Sequence, residues 1–277
     1  MHNLRKRVNY SRQLLRSYES ITTVLRGNPS NYLISLPFSP QYPPRVATVP
    51  AYASLNRVSS SSAPVRAFLF DMDGVIVHST PLHNRAWEIY LEQHGIDPMR
   101  VQSRMFGLRN DEIVRDFFGE GLSGAEIVEH GANKEKLYRE LMYPRLEEFM
   151  VPGVREFLAR HNGLPAAVGS NAEPANIEFV LRESGLAPRF AAVVDGYQVE
   201  KPKPDPDVYL KAAELLGVAP EECVVFEDSI AGLRAARASG GRVVGLRTTL
   251  RELPSHDLAI DNFESPELEQ WIQSLPR

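Results

Sequence analysis

The sequence has a single cysteine and no long hydrophobic run. Cys223 is the only cysteine among 277 residues, so the chain cannot form an intramolecular disulfide or a cysteine-based zinc site. No segment approaches the roughly 18 consecutive apolar residues that a membrane-spanning helix needs. Hydrophobic residues make up 43% of the chain and charged residues 24%, which is ordinary for a soluble globular protein. We therefore expect no membrane partner.

Acidic residues are nearly absent from the first 64 residues. This stretch carries eight Lys or Arg residues and one acid, Glu19, whereas the remainder carries 23 basic and 34 acidic residues. An acidic body argues against nucleic acid as a partner. The Arg-rich start, with apolar residues at helical spacing between Leu4 and Leu25, resembles an organelle transit peptide. Two interpretations of residues 1–64 stay open: a targeting segment for a mitochondrion or chloroplast, or a disordered extension of a cytoplasmic protein.

Strand and helix patterns alternate from residue 151 onwards. Short apolar runs rich in β-branched residues predict strands at 65–70, 166–169, 191–194, 223–227, 243–246 and 259–260. Periodic segments predict helices between them at 154–161, 174–184, 206–216 and 229–239. Further helices, without a convincing strand, are expected at 83–94, 110–118 and 134–148. The alternation predicts an α/β fold with a doubly wound parallel sheet.

Two aspartates end the first predicted strand. Asp71 and Asp73 follow the apolar run and precede a turn glycine, Gly74. In open α/β folds, ligands bind at the carboxyl ends of the strands. One carboxylate of such a pair can act as a nucleophile and the other as a proton donor and acceptor. On these residues alone, a solvated aspartate pair at a strand end is the alternative.

Three further segments carry candidate site residues. Ser170 and Asn171 follow the predicted strand at 166–169, and Lys201 lies in the proline-rich segment Val-Glu-Lys-Pro-Lys-Pro-Asp-Pro before a helix. Glu227 and Asp228 end the predicted strand at 223–227. Taken singly, the serine also fits a helix N-cap, the lysine a solvated loop, and the two acids a first helical turn favoured by the helix dipole.

Together with Asp71-Met-Asp-Gly, these segments resemble the four motifs of the haloacid dehalogenase (HAD) superfamily, in order. The stretch from Asp73 to Trp87, which includes Ser79 and His83, is similar to the β-phosphoglucomutase-like branch, which also contains many sugar-phosphate phosphatases. The resemblance covers residue 65 to the C-terminus. It implies a Rossmann-like α/β core formed by residues 65–82 and 150–277, with residues 83–149 inserted as a helical cap domain.

The resemblance implies a Mg²⁺-dependent phosphatase that hydrolyses a small phosphorylated metabolite, such as a sugar phosphate. Asp71 would attack phosphorus to form an aspartyl-phosphate, and Asp73 would be the general acid and base. Mg²⁺ would be held by Asp71, Glu227, Asp228 and the backbone carbonyl of Asp73. Contacts to phosphate or substrate would come from Ser170, Asn171, Lys201, His83 and Arg109.

Two other functions stay open. A β-phosphoglucomutase-type mutase would use the same machinery, but such enzymes typically carry a lysine and an arginine where this chain has Phe106 and Asn110. A mutase must hold a second phosphate, so the loss of both cations favours hydrolysis. A non-catalytic metabolite-binding protein is the third possibility, and the complete set of motif residues argues against it. The sequence leaves the oligomeric state open and is compatible with a monomer.

Overall fold

The computed structural model describes residues 63–98 and 110–276. Its strands are β1 (Ala67–Phe70), β2 (Ala166–Ser170), β3 (Ala192–Asp195), β4 (Cys223–Glu227), β5 (Arg242–Leu246) and β6 (Leu258–Ile260). Its helices are α1 (Thr80–Gln93), α2 (Asn110–Phe118), α3 (Gly124–Met142), α4 (Leu146–Phe149), α5 (Val154–Arg160), α6 (Pro174–Glu183), α7 (Asp207–Leu216), α8 (Ile230–Ser239) and α9 (Pro266–Ser274). Short 3₁₀ turns cover Tyr143–Arg145, Ala187–Arg189 and Pro220–Glu222.

The six strands form one parallel sheet in the order β3-β2-β1-β4-β5-β6. The chain starts in the middle at β1, runs outwards through β2 and β3, and then crosses to β4, β5 and β6 on the other side. The doubly wound α/β fold predicted from the sequence is therefore confirmed. The strand order reverses beside β1, and ligands bind at such a reversal, outside the carboxyl ends of the strands.

The central strands are buried on both faces. On one face Phe70 stacks on Phe226 of β4 with ring centroids 4.8 Å apart, and Phe157 of α5 packs edge-on against Phe68 at 5.2 Å. On the other face Leu69 shares a hydrophobic cluster with residues of α7 and α8. Successive residues of a strand point to opposite faces, so a continuous apolar run is what a strand covered by helices on both sides requires.

The single cysteine belongs to this core. Cys223 begins β4 and is fully buried, and its Sγ donates a weak hydrogen bond to Ala219 O at 3.5 Å. Burial raises the pKa of the Cys223 thiol to about 12. The thiol therefore packs as a small apolar group, as its position in an apolar run predicts.

The helical segment from α1 to α4 is joined to the sheet by two adjacent connections. The His78 N–H donates to Phe149 O at 2.7 Å, and the Val151 N–H donates to Ile76 O at 3.0 Å. The chain entering this segment and the chain leaving it therefore lie side by side. The division into a core and a cap domain stays a prediction, and residues 1–62 of the predicted extension lie outside the described residues.

Helix α3 differs from the helix predicted at 134–148. It begins ten residues earlier, at Gly124, because the Ser123 side chain and Glu126 form a reciprocal capping box. It ends at Met142, because the next residues form a 3₁₀ turn that contains Pro144, and a regular helix could not continue through this proline. In the two described ranges, no helix combines the length and hydropathy needed to cross a membrane.

Candidate active site

The carboxyl ends of β1 and β4 bring three acidic side chains together. The two strands are paired so that Phe70 lies beside Phe226, and the Asp71 N–H donates to Phe226 O at 3.0 Å. Asp71 and the pair Glu227 and Asp228 therefore leave the sheet at the same edge. All three are buried, and one carboxylate oxygen of each lies within 4.8 Å of the others.

Two glycines allow these carboxylates to approach the backbone. Gly74 has a φ of 76°, and a Cβ at this position would overlap the carboxylate of Asp228. Gly232, in the first turn of α8, faces Glu227 in the same way. A side chain at Gly74 would both strain the turn and displace the aspartate, which explains why a glycine follows the first pair of acids.

The crowding of acids sets the electrostatics of the site. The pKa of Asp71 is raised to about 7, first because the side chain is buried and then because Glu227 and Asp73 lie nearby. Burial, followed by the charge of the neighbouring acids, also raises the pKa of Asp228 well above its ordinary value. Buried carboxylates in such a group retain protons unless a cation compensates them. Asp71 and Asp228 therefore fit a hard divalent cation, which prefers carboxylate oxygens.

Glu227, predicted as a cation ligand, belongs to the acidic group and also accepts several hydrogen bonds. Its Oε1 accepts hydrogen bonds from Lys203 Nζ at 2.6 Å and from the Tyr209 hydroxyl at 2.9 Å. Its Oε2 accepts the backbone N–H groups of Asp228 at 2.8 Å and Ser229 at 3.0 Å. One of its oxygens is close to the other acids, yet both already have partners. The geometry therefore favours Glu227 as an anchor for the lysine over a role as a cation ligand.

The lysine beside Asp71 is Lys203, so the prediction of Lys201 is wrong. Lys203 is buried, and its Nζ lies 2.9 Å from Asp71 Oδ1. Burial disfavours its charge, but Asp71 and Glu227 outweigh burial and raise the pKa of Lys203. Lys201 is exposed, and its backbone N–H donates to Asp207 Oδ2 at 3.2 Å. The segment contains two Lys-Pro pairs, and the fold turns the second one inwards.

Asn171 fixes the loop that carries this lysine. Its Oδ1 accepts the Lys203 N–H and its Nδ2 donates to Lys203 O, both at 3.2 Å. The side-chain oxygen and nitrogen of Asn171 both bond to the backbone of Lys203. The side chain therefore positions the lysine, whereas the sequence predicted a phosphate contact. Ser170 is buried at the end of β2, and its Oγ accepts the Ala172 N–H at 3.2 Å. In this arrangement the serine hydroxyl can donate its proton to a phosphoryl oxygen.

Asp73 faces the first turns of α1. The Ser79 hydroxyl donates to Asp73 Oδ1 at 2.5 Å, and His83 Nε2 lies 3.8 Å from the same oxygen. The His83 ring stacks on Tyr138 of α3 with ring centroids 3.8 Å apart. The two aspartates therefore have different surroundings: Asp71 lies among buried charges, and Asp73 lies beside the helical segment.

Comparison with known proteins identifies the family of this chain. Residues 65–240 match the family model of haloacid dehalogenase-like hydrolases. The chain belongs to this family. This confirms the resemblance seen in the four motifs and the prediction of a HAD-like enzyme.

This HAD-like hydrolase is similar to both phosphatases and mutases. It is 34% identical over 182 residues to the fructose-1-phosphate phosphatase of Escherichia coli. The aligned region covers 65% of this chain and 95% of that protein. It is 31% identical over 190 residues to the beta-phosphoglucomutase of Bacillus subtilis, with coverages of 66% and 83%. The solved structure of beta-phosphoglucomutase from Clostridium difficile aligns with a TM-score of 0.65 at 25% identity, over 75% of this chain and 96% of that one.

Sequence reasoning missed a buried charged pair on α3 of this HAD-like hydrolase. Lys134 is 2% exposed, and its Nζ donates to His83 Nδ1 and to Glu135 Oε1, both at 2.8 Å. Burial lowers the pKa of Lys134. Burial also acts to raise the pKa of Glu135, but Lys134 and His83 outweigh it and lower that pKa to about 2. The available signal was a lysine between Gly131 and Tyr138 at helical spacing, on the buried face of the helix.

Glu135 also connects the helical segment to α6. Its Oε2 accepts a hydrogen bond from Asn176 Nδ2 at 2.7 Å, and Arg139 Nη1 donates to Asn176 Oδ1 at 2.7 Å. Its Oε1 accepts a hydrogen bond from Asn110 Nδ2 at 2.6 Å. The side chain of Asn176, which is 1% exposed, is therefore hydrogen-bonded to two residues of α3, Glu135 and Arg139. The predicted substrate residue Arg109 lies outside the described residues.

Proposed function

We propose that this HAD-like hydrolase is a Mg²⁺-dependent phosphatase that hydrolyses a small sugar phosphate through an aspartyl-phosphate on Asp71. One observation carries the proposal: the buried Asp71 carboxylate lies 2.9 Å from the buried ammonium group of Lys203 and beside the carboxylate of Asp228. Phosphoryl transfer needs a positioned nucleophile and compensation of the phosphate charge. These three side chains supply the nucleophile, a fixed positive charge and a ligand for a divalent cation.

In the first half-reaction, a carboxylate oxygen of Asp71 forms a bond to phosphorus while the bond from phosphorus to the sugar oxygen breaks. Lys203 and the Ser170 hydroxyl contact the phosphoryl oxygens, which reduces the repulsion between the anionic nucleophile and its target. Protonated Asp73 gives its proton to the departing sugar oxygen. Ser79 and His83 hold the Asp73 carboxyl towards that oxygen.

In the second half-reaction, Asp73 takes a proton from a water molecule. The water oxygen bonds to phosphorus, and the bond from phosphorus to Asp71 breaks. Inorganic phosphate leaves, the Asp71 carboxylate is restored, and Asp73 is again protonated. The two aspartates thus keep separate roles throughout the cycle.

Asp71 and Asp228 would hold the Mg²⁺ ion, with the backbone carbonyl of Asp73 as the third protein ligand implied by the family. When bound, the ion neutralises charge on the two carboxylates and on the phosphoryl group. The raised pKa of both side chains supports this role, because it reflects a site that is short of positive charge.

The substrate class is proposed from the relatives. The phosphatase of Escherichia coli is named for fructose 1-phosphate, and the mutase relatives are named for phosphoglucose. A phosphorylated sugar is therefore the substrate we infer for this chain. The acidic composition of residues 65–277 supports a small-molecule substrate over nucleic acid.

A phosphosugar mutase is the second candidate, and the beta-phosphoglucomutase relatives favour it. A mutase returns the phosphoryl group to another hydroxyl of the sugar and must hold a second phosphate meanwhile. Asn110, at one of the two positions where such enzymes carry a cation, is uncharged and donates its amide to Glu135 at 2.6 Å. Asn110 therefore adds no positive charge that could hold a second phosphate, and this lack of charge favours hydrolysis.

A phosphate-release screen over phosphorylated sugars, with and without Mg²⁺, tests the proposed function. We expect release that requires Mg²⁺ and that is abolished in Asp71→Asn, which keeps the side-chain size but cannot attack phosphorus. β-Glucose 1-phosphate, supplied with a trace of the bisphosphate, separates the two candidates. Rapid formation of glucose 6-phosphate with little free phosphate would establish the mutase, and substantial activity of Asp71→Asn would refute both.

A further inference from the structure

Two threonines after β5 contact the acidic site from outside the four motifs. β4 and β5 are paired so that Glu227 lies beside Gly245, and the loop after Leu246 therefore passes next to Asp228. Thr248 and Thr249 belong to this loop. Neither residue has a role in the mechanism described above.

Each threonine hydroxyl donates to a different part of the site. Thr249 Oγ1 donates to Asp228 Oδ2. Thr248 Oγ1 donates to Gly74 O at 2.5 Å and also lies 3.4 Å from Asp228 Oδ2. A hydroxyl has one proton to donate, so the shorter contact, to the glycine carbonyl, is the main interaction of Thr248.

These contacts hold the Asp228 carboxylate in one orientation. Oδ2 is held on the side of the loop, which also fixes the direction in which Oδ1 points. The bond from Thr248 fixes the turn at Gly74, the residue directly after Asp73. Gly74 is already so close to Asp228 that a Cβ there would overlap the carboxylate. The loop thus restrains both the aspartate and the turn that faces it.

We propose that Thr248 and Thr249 are positioning residues for the divalent cation, with Thr249 orienting the Asp228 carboxylate and Thr248 fixing the Asp73–Gly74 turn. This inference rests on the proposed function, because it assumes that the acidic site holds Mg²⁺. Hydrogen-bond partners of metal ligands fix the ligand orientation before the metal arrives. Loss of such a partner typically weakens metal binding by about 10- to 100-fold.

The test compares Thr249→Val, which removes the hydroxyl at nearly constant volume, with Thr249→Ser, which keeps it. Direct binding of Mg²⁺ by calorimetry, and of Mn²⁺ by electron paramagnetic resonance, gives a dissociation constant that does not depend on turnover. We expect the valine variant to bind about 10-fold more weakly or worse, and the serine variant to stay near the wild type. At saturating Mg²⁺ the valine variant should recover most of its kcat.

Two further variants complete the experiment. Thr248→Val should weaken binding in the same direction, since it releases the turn at Gly74. Arg247→Gln is the matched control: the arginine precedes the threonines in the loop, but its Nη1 pairs with Asp261 at 3.0 Å, so cation binding should not change. Thr249 is exposed and Thr248 is only partly buried, so neither substitution opens a cavity, and circular dichroism verifies the fold.

The outcomes distinguish this inference from the proposed function. Wild-type protein that binds Mg²⁺ together with Thr249→Val protein of equal affinity would overturn the positioning role and leave the proposed function intact. Equal weakening in Thr249→Ser and Thr249→Val would also overturn it, because the hydroxyl would then be irrelevant. Wild-type protein that binds neither cation would refute both the positioning role and the cation site on which it depends.

Discussion

The ammonium group of Lys203 lies 2.9 Å from Asp71 Oδ1 and 2.6 Å from Glu227 Oε1. One buried cation is therefore shared by the carboxylate that would attack phosphorus and by a carboxylate that holds the cation in place. Removal of any member of a buried charged group leaves the others uncompensated. The activity and the stability of the protein should both respond, and separate variants can tell the two effects apart.

Lys203→Met should lower kcat/KM by about 100-fold or more, because the phosphoryl group loses the contact with the fixed positive charge of the lysine. Lys201→Met is the matched control. It removes a lysine two residues away that is exposed, and its activity should stay near that of the wild type. Phosphate release from the best substrate of the screen is the measurement. A loss confined to Lys201→Met would mean that the wrong lysine has been placed at the phosphate.

Glu227→Gln should lower the free energy of unfolding by about 3 kcal/mol, because a neutral amide cannot compensate Lys203 and cannot accept all of the present hydrogen bonds. Urea denaturation followed by circular dichroism measures this change. Glu214→Gln, at an exposed position of α7, should change stability by less than about 0.5 kcal/mol. Equal stabilities of the two variants would show that Glu227 is not the anchor of the site.

Stabilisation by Mg²⁺ should increase with pH. The pKa of Asp71 is raised from 3.8 to about 7, so between these values the folded protein binds more protons than the unfolded chain. The metal-free protein therefore loses stability as the pH rises through this window. Mg²⁺ competes with the same protons. The increase in Tm that it causes should be larger near about pH 8 than near about pH 5.

Asp71→Asn is the control for this pH dependence. The amide does not titrate, so the variant should lose the part of the change in Tm that comes from Asp71 while keeping the fold. Asp228, whose pKa is also raised, still titrates in this variant. A wild-type response to Mg²⁺ that is independent of pH would contradict the raised pKa of Asp71.

Asp73→Asn should reduce hydrolysis of sugar phosphates by about 10²- to 10⁴-fold, because a sugar oxygen leaves poorly without a proton. The second half-reaction, which also uses Asp73, is the same for both substrates, so the comparison is made on the first half-reaction, followed as the pre-steady-state release of the alcohol. There the loss should be much smaller for p-nitrophenyl phosphate, whose phenolate leaves without acid catalysis. Parallel kinetics with both substrates provide the measurement. An equal loss for both would assign Asp73 to phosphate or cation binding instead of proton transfer.

Asn176→Ala should destabilise the protein by about 2 kcal/mol, since it removes one buried hydrogen-bond partner from Glu135 and one from Arg139. It should also lower kcat, because Glu135 holds Lys134, which donates to His83 beside Asp73. Thermal unfolding and steady-state kinetics measure the two effects. Ala175→Gly, at the exposed neighbouring position of α6, is the control for a local helix effect and should leave kcat unchanged.

The fold was predictable because its signals are local. Each central strand is buried on both faces and therefore appears in the sequence as an unbroken apolar run, as at 223–227. Helix α3 was placed less well. Its start depends on the capping box of Ser123 and Glu126, and its early turns, which contain two glutamates and two glycines, obscured the apolar period.

The site was predictable where it depends on strand ends. Asp71 and Asp228 follow β1 and β4 directly, and the register of a parallel sheet brings such residues to one edge. Lys203 was not predictable in this way, because a loop sequence does not reveal which of two lysines turns inwards. Lys134 was missed for a related reason: it meets His83 across 51 residues of sequence, through the packing of two helices.

The burial of Cys223 makes the chain its own reporter of sheet opening. The thiol lies at the start of β4, and the acidic site lies beyond the other end of the same strand. A thiol-specific reagent can react only after β4 separates from its neighbours, and the sequence offers no competing thiol. Mass spectrometry during gradual denaturation therefore gives the fraction of modified Cys223, which shows at which denaturant concentration the sheet opens. Activity assayed in the same samples shows at which concentration the site at the carboxyl edge of the sheet is lost. One experiment therefore gives the order of the two events.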